Sequence, residues 1–342
     1  MYDYIIVTHI PNFYKINLYN KLSKKMKILV IFIASNTNEK RANDFIALGA
    51  SEFEHRLLHN GDYETRDINT NILRLRTILK ECQYKRILVS GWEAKEYWYC
   101  VFTNSKLKNC LALESTINES SSNGIKGIMK RIFLSRISIT FASGTLHARL
   151  LDKLKYKGEV KITKGVGIIN KPKRDVIQRE YKKRFLFIGR LSLVKNIDIL
   201  IDLFNNLEGY SLTIIGAGPS EQQLKNKAKD NILFKGQVPN DNIKEYFEDN
   251  DFLLLPSTSE TWGLVVEEAL YFGMPVIVSS CCGVSELVKE GVNGYVINLN
   301  NPKKLRDIIL GINNNSYQDL VNGVDKFSVN KKDLEQVTSY DI

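Results

Sequence analysis

Short runs rich in β-branched and other apolar residues recur along the whole chain, each followed by a stretch long enough for a helix. In the first half they are Tyr4–Thr8, Ile28–Ile33, Arg86–Ser90, Cys110–Leu113 and Val160–Thr163. In the second half they are Arg184–Ile188, Ser211–Ile215, Ile232–Lys235, Phe252–Pro256 and Pro275–Ser279. Such runs are typical of strands buried on both faces, and parallel strands need helix-length connections. The pattern therefore predicts an α/β protein with parallel sheets.

The 342 residues favour two domains, because a single core rarely extends beyond about 250–300 residues. The least core-like connection is KGVGIINKPKRDVIQREYKKR, residues 164–184, which combines glycines, a proline and dense charge. We predict an N-terminal domain at 1–168, a linker at 169–183 and a C-terminal domain at 184–342. The last residues are expected to pack back on the N-terminal domain.

Composition narrows the class of protein. No run of about 18 apolar residues occurs, which argues against a membrane span, and the N-terminus lacks the pattern of a signal peptide. The five cysteines form no CxxC pair and the four histidines are scattered, so neither a zinc site nor a disulfide framework is indicated. We expect a cytoplasmic protein that needs no metal and no cofactor.

The net charge of +10 is unevenly distributed. Residues 1–172 carry 28 Lys+Arg and 15 Asp+Glu, a balance of +13, whereas residues 173–342 carry 20 and 23, a balance of −3. A basic half suggests that this half faces an anionic surface. The charge alone leaves nucleic acid, anionic lipid and phosphorylated substrates open.

One segment of the basic half, residues 124–139, has the spacing of an amphipathic helix. Such a helix can lie on anionic lipid, but taken alone the segment favours a helix packed into the core with a solvated basic face. The charge bias of the whole half is the stronger argument for membrane contact. The apolar stripe is Ile125, Ile128, Met129, Ile132 and Phe133, and the basic residues are Lys126, Lys130, Arg131 and Arg136.

The segment FIGRLSLVKNIDILI, residues 187–201, places Gly189, Arg190 and Lys195 between a predicted strand and a helix expected from Asn196. Two cations at a strand–helix junction suit a phosphate, because the exposed N–H groups of a helix start add partial positive charge. The simpler alternative is a basic surface turn.

A second junction, IIGAGPSEQQL at residues 214–224, has Gly216 and Gly218 followed by Ser220 as the expected helix N-cap. The full GxGxxG spacing fails because residue 221 is Glu. We therefore interpret these glycines as a structural turn.

The segment PSTSETWGLVVEEALYFGMPVIVSS, residues 256–280, contains three glutamates in an apolar context. Glu260 falls in a loop, Glu268 falls inside a helix predicted for Leu264–Phe272, and Glu267 points about 100° away from Glu268. Glu267 is therefore expected to face solvent or the domain's flank as a bystander. We expect substrate hydroxyls, rather than a salt bridge, to offset the burial of the other two, although a surface position for Glu260 and a Lys or Arg partner for Glu268 are the alternatives.

Together these motifs resemble glycosyltransferase family 4. Glu260 and Glu268 form its E-x7-E pattern, GRLSLVKNIDILI resembles its upstream segment, and GVSELVKEGVNGYVI at residues 283–297 resembles the segment that follows. The resemblance is specific across residues 184–297. It implies a GT-B fold, in which two Rossmann-like βαβ domains flank an inter-domain cleft and the C-terminal domain holds a nucleotide sugar.

The resemblance also implies roles for individual residues. Arg190 and Lys195 would hold the diphosphate and stabilise it as it leaves, Glu260 would contact the transferred sugar, and Glu268 would bind the ribose. Catalysis would rest on Arg190, Lys195, Glu260 and Glu114. The implied donor-binding set is Gly189, Arg190, Lys195, Gln237, Val238, Glu260, Thr261, Trp262, Gly263, Leu264 and Glu268.

The N-terminal half departs from the family pattern. The stretch THIPNFYKINLY, residues 8–19, lacks the usual glycine-rich loop, and LALESTINESSSNG, residues 111–124, has Glu114 where many members have a histidine. The acceptor-side candidates are Pro11, Asn12, Glu114 and Ser115. His9 and His147 are expected to be structural.

The expected function is that of a retaining, metal-independent hexosyltransferase that uses a UDP-sugar and a lipid-linked or glycolipid acceptor in bacterial surface polysaccharide biosynthesis. The expected location is the inner face of the cell membrane, with the basic half on anionic lipid. One alternative is a nucleotide-sugar epimerase on the same fold. The other, a basic nucleic-acid-binding protein, is disfavoured because no nucleic-acid motif occurs.

Overall fold

The computed structural model describes residues 1–39, 45–175 and 178–341. The chain divides into two compact units. The N-terminal unit comprises residues 1–170 and the segment that starts at Lys332, and the C-terminal unit comprises residues 171–331. No helix within the described ranges combines the length and apolarity needed to cross a membrane.

The N-terminal unit is built on a seven-stranded parallel sheet in the order β3-β2-β1-β4-β5-β6-β7. Its strands are β1 (Tyr2–Thr8), β2 (Ile28–Phe32), β3 (Glu54–Leu57), β4 (Tyr84–Val89), β5 (Asn109–Leu113), β6 (Ile139–Ala142) and β7 (Glu159–Ile162). Its helices are α1 (Phe13–Ser23), α2 (Ile68–Glu81), α3 (Lys95–Thr103), α4 (Gly124–Ser135) and α5 (Thr145–Lys153).

The C-terminal unit repeats this arrangement with six parallel strands in the order β10-β9-β8-β11-β12-β13. The strands are β8 (Arg184–Ile188), β9 (Ser211–Ile215), β10 (Ile232–Gly236), β11 (Phe252–Leu255), β12 (Val276–Ser279) and β13 (Gly294–Ile297). The helices are α6 (Asp198–Phe204), α7 (Glu221–Lys227), α8 (Ile243–Asp249), α9 (Leu264–Tyr271), α10 (Pro302–Gly311) and α11 (Asn314–Asp325). A last helix, α12 (Val329–Thr338), leads into the segment that belongs to the N-terminal unit.

Both sheets are covered on both faces. In the N-terminal unit, Ile5 and Val7 of β1 belong to one apolar cluster while Tyr4 and Ile6 belong to another, because successive side chains of a strand point to opposite faces. The returning C-terminal segment completes the second cluster: the ring of Tyr340 stacks on Phe141 with centroids 4.4 Å apart. The prediction of an α/β fold with parallel sheets is confirmed.

Helix α4 corrects one expectation. Its apolar stripe is not packed into the core, since Ile125 is 78% exposed and Ile128, Met129 and Ile132 are about half exposed. Of the five stripe residues only Phe133 is buried. The helix therefore presents an apolar face to solvent beside its basic residues.

The glycines after β9 serve packing, as the sequence suggested. Gly216 has φ +131°, and a Cβ there would overlap the carbonyl oxygen of Gly189, while a Cβ on Gly218 would overlap that of Leu191. Ser220 occupies the N-cap position of α7 but makes no capping hydrogen bond with its side chain, so that part of the prediction is wrong. The turn lets the loops after β8 and β9 lie in direct contact.

We predict that Gly216→Ala lowers the free energy of unfolding by about 2–4 kcal/mol, because it adds a steric overlap to an unfavourable backbone conformation. Gly209→Ala is the matched control, since Gly209 also has positive φ, +76°, but open space around its Cβ position. It should cost only the backbone term, about 1–2 kcal/mol. Chemical unfolding measures both, and equal losses would contradict the packing role of Gly216.

Candidate active site

The candidate active site lies at the carboxyl edge of the C-terminal sheet, where the loops after β8, β9, β10 and β11 meet. Backbone hydrogen bonds join these loops: Gly189 N–H donates to Ile215 at 3.0 Å and Gly216 N–H donates to Gly236 at 2.7 Å. Thr258 N–H likewise donates to Val194 at 2.9 Å. Because ligands of open α/β sheets bind at this edge, the loops form the expected place for a ligand.

Lys195 and Glu260 form an ion pair within this edge, and their side chains are only 18% and 17% exposed. Lys195 ends a short 3₁₀ turn, Leu193–Lys195, and the next residue, Asn196, adopts a left-handed conformation with φ +54°. The Asn196 side chain donates to the carbonyl of Pro256 at 3.2 Å, which ties this turn to the loop of Glu260. The helix that was predicted from Asn196 begins at Asp198.

This ion pair corrects the expectation that Glu260 is stabilised without a salt bridge. Its carboxylate is paired with an ammonium group of the same unit, which offsets much of the cost of removing it from water. The backbone of Glu260 is also fixed, because its carbonyl accepts a hydrogen bond from Gly283 N–H at 3.0 Å. Burial first, and then the charge of Glu260, raises the pKa of the neighbouring Cys282 thiol, which is therefore protonated at neutral pH.

The remaining cation and the glycine of this motif lie beside the pair. Arg190 is exposed, directly after Gly189. An added Cβ on Gly189 would lie 3.3 Å from the Phe187 ring and 3.9 Å from Cε of Lys195, so Gly189 leaves room for the lysine side chain. Two cations therefore flank the end of β8, one exposed and one held by a carboxylate.

Helix α9 begins at Leu264 and carries the other two glutamates. Gly263 precedes it with φ +110°, where a Cβ would lie 2.9 Å from Leu255 and 3.1 Å from Val284. Thr261 is half-buried and Glu268 is 9% exposed. Gly263 permits the loop to approach the strand closely, so that the helix starts at the sheet edge.

Glu267 is not the exposed bystander that helix geometry suggested. It is fully buried, and its Oε1 accepts a hydrogen bond from Nε1 of Trp262 at 2.5 Å. Trp262 is itself 1% exposed. The 100° argument failed because Val266 to Leu270 are all buried, so α9 has no solvent face at this position. The pair joins the loop before α9 to the helix itself.

Gln237 and Val238 follow β10 at the same edge of the sheet. Gln237 is exposed and Val238 is half-buried, and Gly236 just before them has φ +68°. Because the carbonyl of Gly236 accepts from Gly216, this loop adjoins the loop after β9. The structure thus brings together the sheet-edge loops that carry the predicted donor-binding residues.

The acceptor-side candidates lie in the N-terminal unit, around the start of α1. Pro11 is buried, and the Asn12 side chain caps α1 by accepting from Lys15 N–H at 3.1 Å, which gives Asn12 a structural role. Glu114, after β5, is paired with the ammonium of Lys15, whose side chain is 6% exposed. Ser115 beside it is half-buried.

Lys15 is a residue that the sequence reasoning missed. Burial is the largest single effect and would lower its pKa, but Glu114 and three nearby tyrosines together outweigh burial and raise it, so Lys15 is charged at neutral pH. The available signal was the spacing Asn12-x-x-Lys15, which puts the lysine in the first turn after a helix cap. His147 donates its Nε2–H to the backbone carbonyl of Glu114, 3.1 Å away, in keeping with the structural role expected for it.

Within the described ranges, no group of three or more His, Cys, Asp and Glu side chains is arranged to hold a metal ion. The charges that converge in the C-terminal unit are the cations Arg190 and Lys195 and the carboxylate Glu260. Chemically, this arrangement can bind an anionic group with the cations and hydroxyl groups with the carboxylate and the loop backbone.

Residues 170–337, just under half of the chain, match the family described as "Glycosyl transferases group 1". A protein of the cps region of Klebsiella pneumoniae is 32% identical over 143 residues, which cover 41% of this chain and 39% of that protein. A glycosyltransferase of Haemophilus influenzae is 27% identical over 257 residues, 70% of each chain.

Among solved structures, Anabaena HepE in complex with UDP and glucose aligns with a TM-score of 0.70 over 98% of both chains, at 13% sequence identity. Likeness at this identity shows the fold alone. The fold is GT-B, with two α/β units that each contain a parallel sheet.

We predict that Glu267→Ala lowers the free energy of unfolding by about 1–3 kcal/mol, because it leaves the buried indole N–H of Trp262 without this acceptor. Glu267→Gln keeps an acceptor oxygen and should retain most of the stability. Thermal and chemical unfolding compare the two variants, with exposed Glu208→Ala as the surface control. A wild-type stability for Glu267→Ala would show that the glutamate is dispensable for holding the loop.

Proposed function

We propose that this chain is a retaining glycosyltransferase that moves a hexose from a nucleotide sugar, a UDP-sugar, to a lipid-linked or glycolipid acceptor in bacterial surface polysaccharide biosynthesis. The observation that carries the proposal is the Lys195–Glu260 pair at the carboxyl edge of the C-terminal sheet, inside the segment that matches the group 1 glycosyl transferases. The UDP and glucose bound to HepE support a uridine donor, and the cps-region relative supports the pathway.

In this proposal Arg190 and Lys195 bind the donor's diphosphate. The pair with Glu260 restrains the Lys195 side chain, so the ammonium is already positioned before the donor binds. An ammonium has three donor hydrogens, so it can serve Glu260 and a phosphate oxygen together. Glu260 then accepts from hydroxyls of the transferred sugar, and Glu268, in the second turn of α9, accepts from the ribose.

The proposed reaction moves charge toward these cations. The bond between the anomeric carbon and the diphosphate oxygen breaks, and its electron pair stays with the diphosphate. The acceptor hydroxyl attacks from the same face, and its proton passes to the leaving phosphate, so the anomeric configuration is retained. Preorganised cations stabilise the negative charge that develops on the diphosphate, and we propose that they do so without a metal.

On the acceptor side, we assign Glu114 to the acceptor hydroxyl, with Pro11, Asn12 and Ser115 shaping its surroundings. The Lys15 ammonium holds the Glu114 carboxylate in an ion pair. Because its side chain is 30% exposed, this carboxylate can still accept a hydrogen bond from an incoming hydroxyl.

The proposed membrane partner is supported by α4 and by the charge of the basic half of the chain. Residues 1–172 carry a balance of +13, and α4 exposes an isoleucine-rich face beside Lys126 and Arg131. An exposed apolar face with basic flanks fits the headgroup region of an anionic bilayer. We assign the protein to the inner face of the cell membrane, where lipid-linked acceptors are within reach.

The donor assignment is tested by thermal unfolding in the presence of UDP-, GDP- and ADP-sugars, because a ligand that binds only the folded state raises its stability. The UDP-sugar that stabilises the protein then serves as substrate, and Lys195→Ala should lower turnover about 10²- to 10³-fold. Lys225→Ala is the control, since Lys225 lies on the surface, where it pairs with Glu221 at 2.7 Å and lies over the ring of Phe234.

Two results would count against this assignment. Undiminished turnover by a folded Lys195→Ala protein would remove Lys195 from the phosphate site. Inversion of the free nucleotide sugar at C2 without any acceptor would identify an epimerase instead.

The membrane assignment predicts that the wild-type protein co-sediments with vesicles containing phosphatidylglycerol and much less with pure phosphatidylcholine. The double variant Ile128→Glu, Ile132→Glu should weaken binding by about tenfold or more, because each isoleucine contributes about 1.5–3 kcal/mol when it leaves water. Leu233→Glu in the C-terminal unit, 47% exposed, is the matched control. Equal binding by all three proteins would exclude α4 as the contact surface.

A further inference from the structure

A cavity of about 500 Å³ lies in the N-terminal unit, beside the exposed face of α4. We call it the tryptophan pocket. It lies between the start of α3, the loop before it, and one side of α4. Its lining residues are Trp92, Glu93, Lys95, Trp98, Lys126, Met129 and Lys130.

The walls of the tryptophan pocket are apolar and fixed. Trp98 donates its indole N–H to the carbonyl of Trp92 at 2.8 Å, and its ring stacks on Phe102 with centroids 5.6 Å apart. On its other side Trp98 contacts the buried Phe133 at 5.1 Å between centroids. With Met129 from α4, these rings provide a wall for a hydrocarbon chain.

The rim is basic. Lys130 lies over the ring of Trp92, with its Nζ 5.1 Å from the ring centroid, and donates to the carbonyl of Ser121 at 2.7 Å. Burial, and then repulsion from Lys126, lowers the pKa of Lys130. An anion between these two lysines would remove that repulsion. Lys95 adds a third, exposed cation to the rim.

Glu93 is the one carboxylate of the lining, and its charge is engaged on the side of β1. His9 Nε2 lies 2.8 Å from Glu93 Oε1, and the Trp92 N–H donates to Oε2 at 2.9 Å. Burial would raise the pKa of Glu93, but the hydrogen bond and the electrostatic interaction with His9, together with backbone hydrogen bonds, outweigh burial and lower the pKa. The net charge of the lining residues therefore favours an anion.

We propose that the tryptophan pocket binds the acceptor lipid at the junction of its phosphate and its hydrocarbon chain. The phosphate would lie between Lys126 and Lys130, and the first apolar units of a single chain would lie against Trp92 and Trp98. This inference rests on the proposed function, since it gives that function's acceptor a binding site. The pocket volume suits one ligand of ordinary small-molecule size, and α4 links it to the membrane-facing surface along which a lipid arrives.

The test is a titration of the full chain with geranyl phosphate, in which binding is monitored by tryptophan fluorescence. The chain has three tryptophans, and the third, Trp262, is buried against Glu267, so Trp92 and Trp98 report binding. Geraniol, inorganic phosphate and dihexanoyl phosphatidic acid are titrated in parallel. We expect geranyl phosphate to bind at least about tenfold more tightly than each of the others, because only it combines one chain with a phosphate.

Each other pattern overturns the proposal. Equal binding of geraniol would show that the pocket recognises only the hydrocarbon chain, and equal binding of inorganic phosphate would show that it recognises only the anion. Tighter binding of the phosphatidic acid would identify a bilayer lipid instead of an acceptor. An absence of any binding would refute the site altogether.

Variants locate the phosphate. Lys126→Glu should weaken geranyl phosphate binding about tenfold, the loss of one charge-assisted contact, whereas Lys126→Arg should keep most of it. Lys106→Glu, an exposed lysine of the same unit, is the control. UDP binding, measured separately by thermal unfolding, should be unchanged in all three. Loss of geranyl phosphate binding with intact UDP binding therefore separates this inference from the donor assignment, and unchanged binding by Lys126→Glu would contradict it.

Discussion

Two-sided burial of parallel strands is the constraint on which the rest of this structure depends. A parallel strand cannot be reached by a tight turn, so each connection crosses one face and returns to the same end of the sheet. Every loop at the carboxyl edge is therefore a neighbour of another. For this reason the loops that contain Gly189 and Gly216, 27 residues apart in the sequence, lie side by side and are joined by a backbone hydrogen bond. The sheet topology therefore determines where the candidate site lies, and the side chains on these loops determine its chemistry.

The glutamates at this edge show how different partners separate similar residues into different roles. Glu260 is held by an ammonium and keeps part of its surface exposed, so it can still accept from a ligand. Glu267 is fully buried and is stabilised by a neutral donor, the indole of Trp262, which leaves it a structural role. The proposed ligand-binding role of Glu260 and the structural role of Glu267 rest on exposure and on the partner, and neither is visible in residue type.

The sequence predicted what depends on local pattern. Apolar strands such as Phe252–Leu255 were predicted correctly because every residue of such a strand is buried and apolar. Strand β3, Glu54–Leu57, was missed because it is an edge strand with half of its side chains in water, and its sequence therefore resembles a loop. The burial of Glu267 and of the apolar stripe of α4 was predicted wrongly, because periodicity shows which residues share a helix face but not whether a neighbouring element covers that face. Lys15 was missed because its partner, Glu114, lies 99 residues away in the sequence.

Helix α4 carries this last argument further. An isoleucine left in water forgoes the free energy of burial, and α4 leaves Ile125, Ile128 and Ile132 exposed together on one turn-spaced stripe. Scattered apolar residues on a surface need no explanation, but a contiguous stripe flanked by lysines does. The same helix contributes Lys126 and Met129 to the tryptophan pocket, so the apolar stripe and the pocket share one element. A partner that is both apolar and anionic would match the stripe and the pocket, and the proposed acceptor lipid and the proposed membrane contact both have this chemistry.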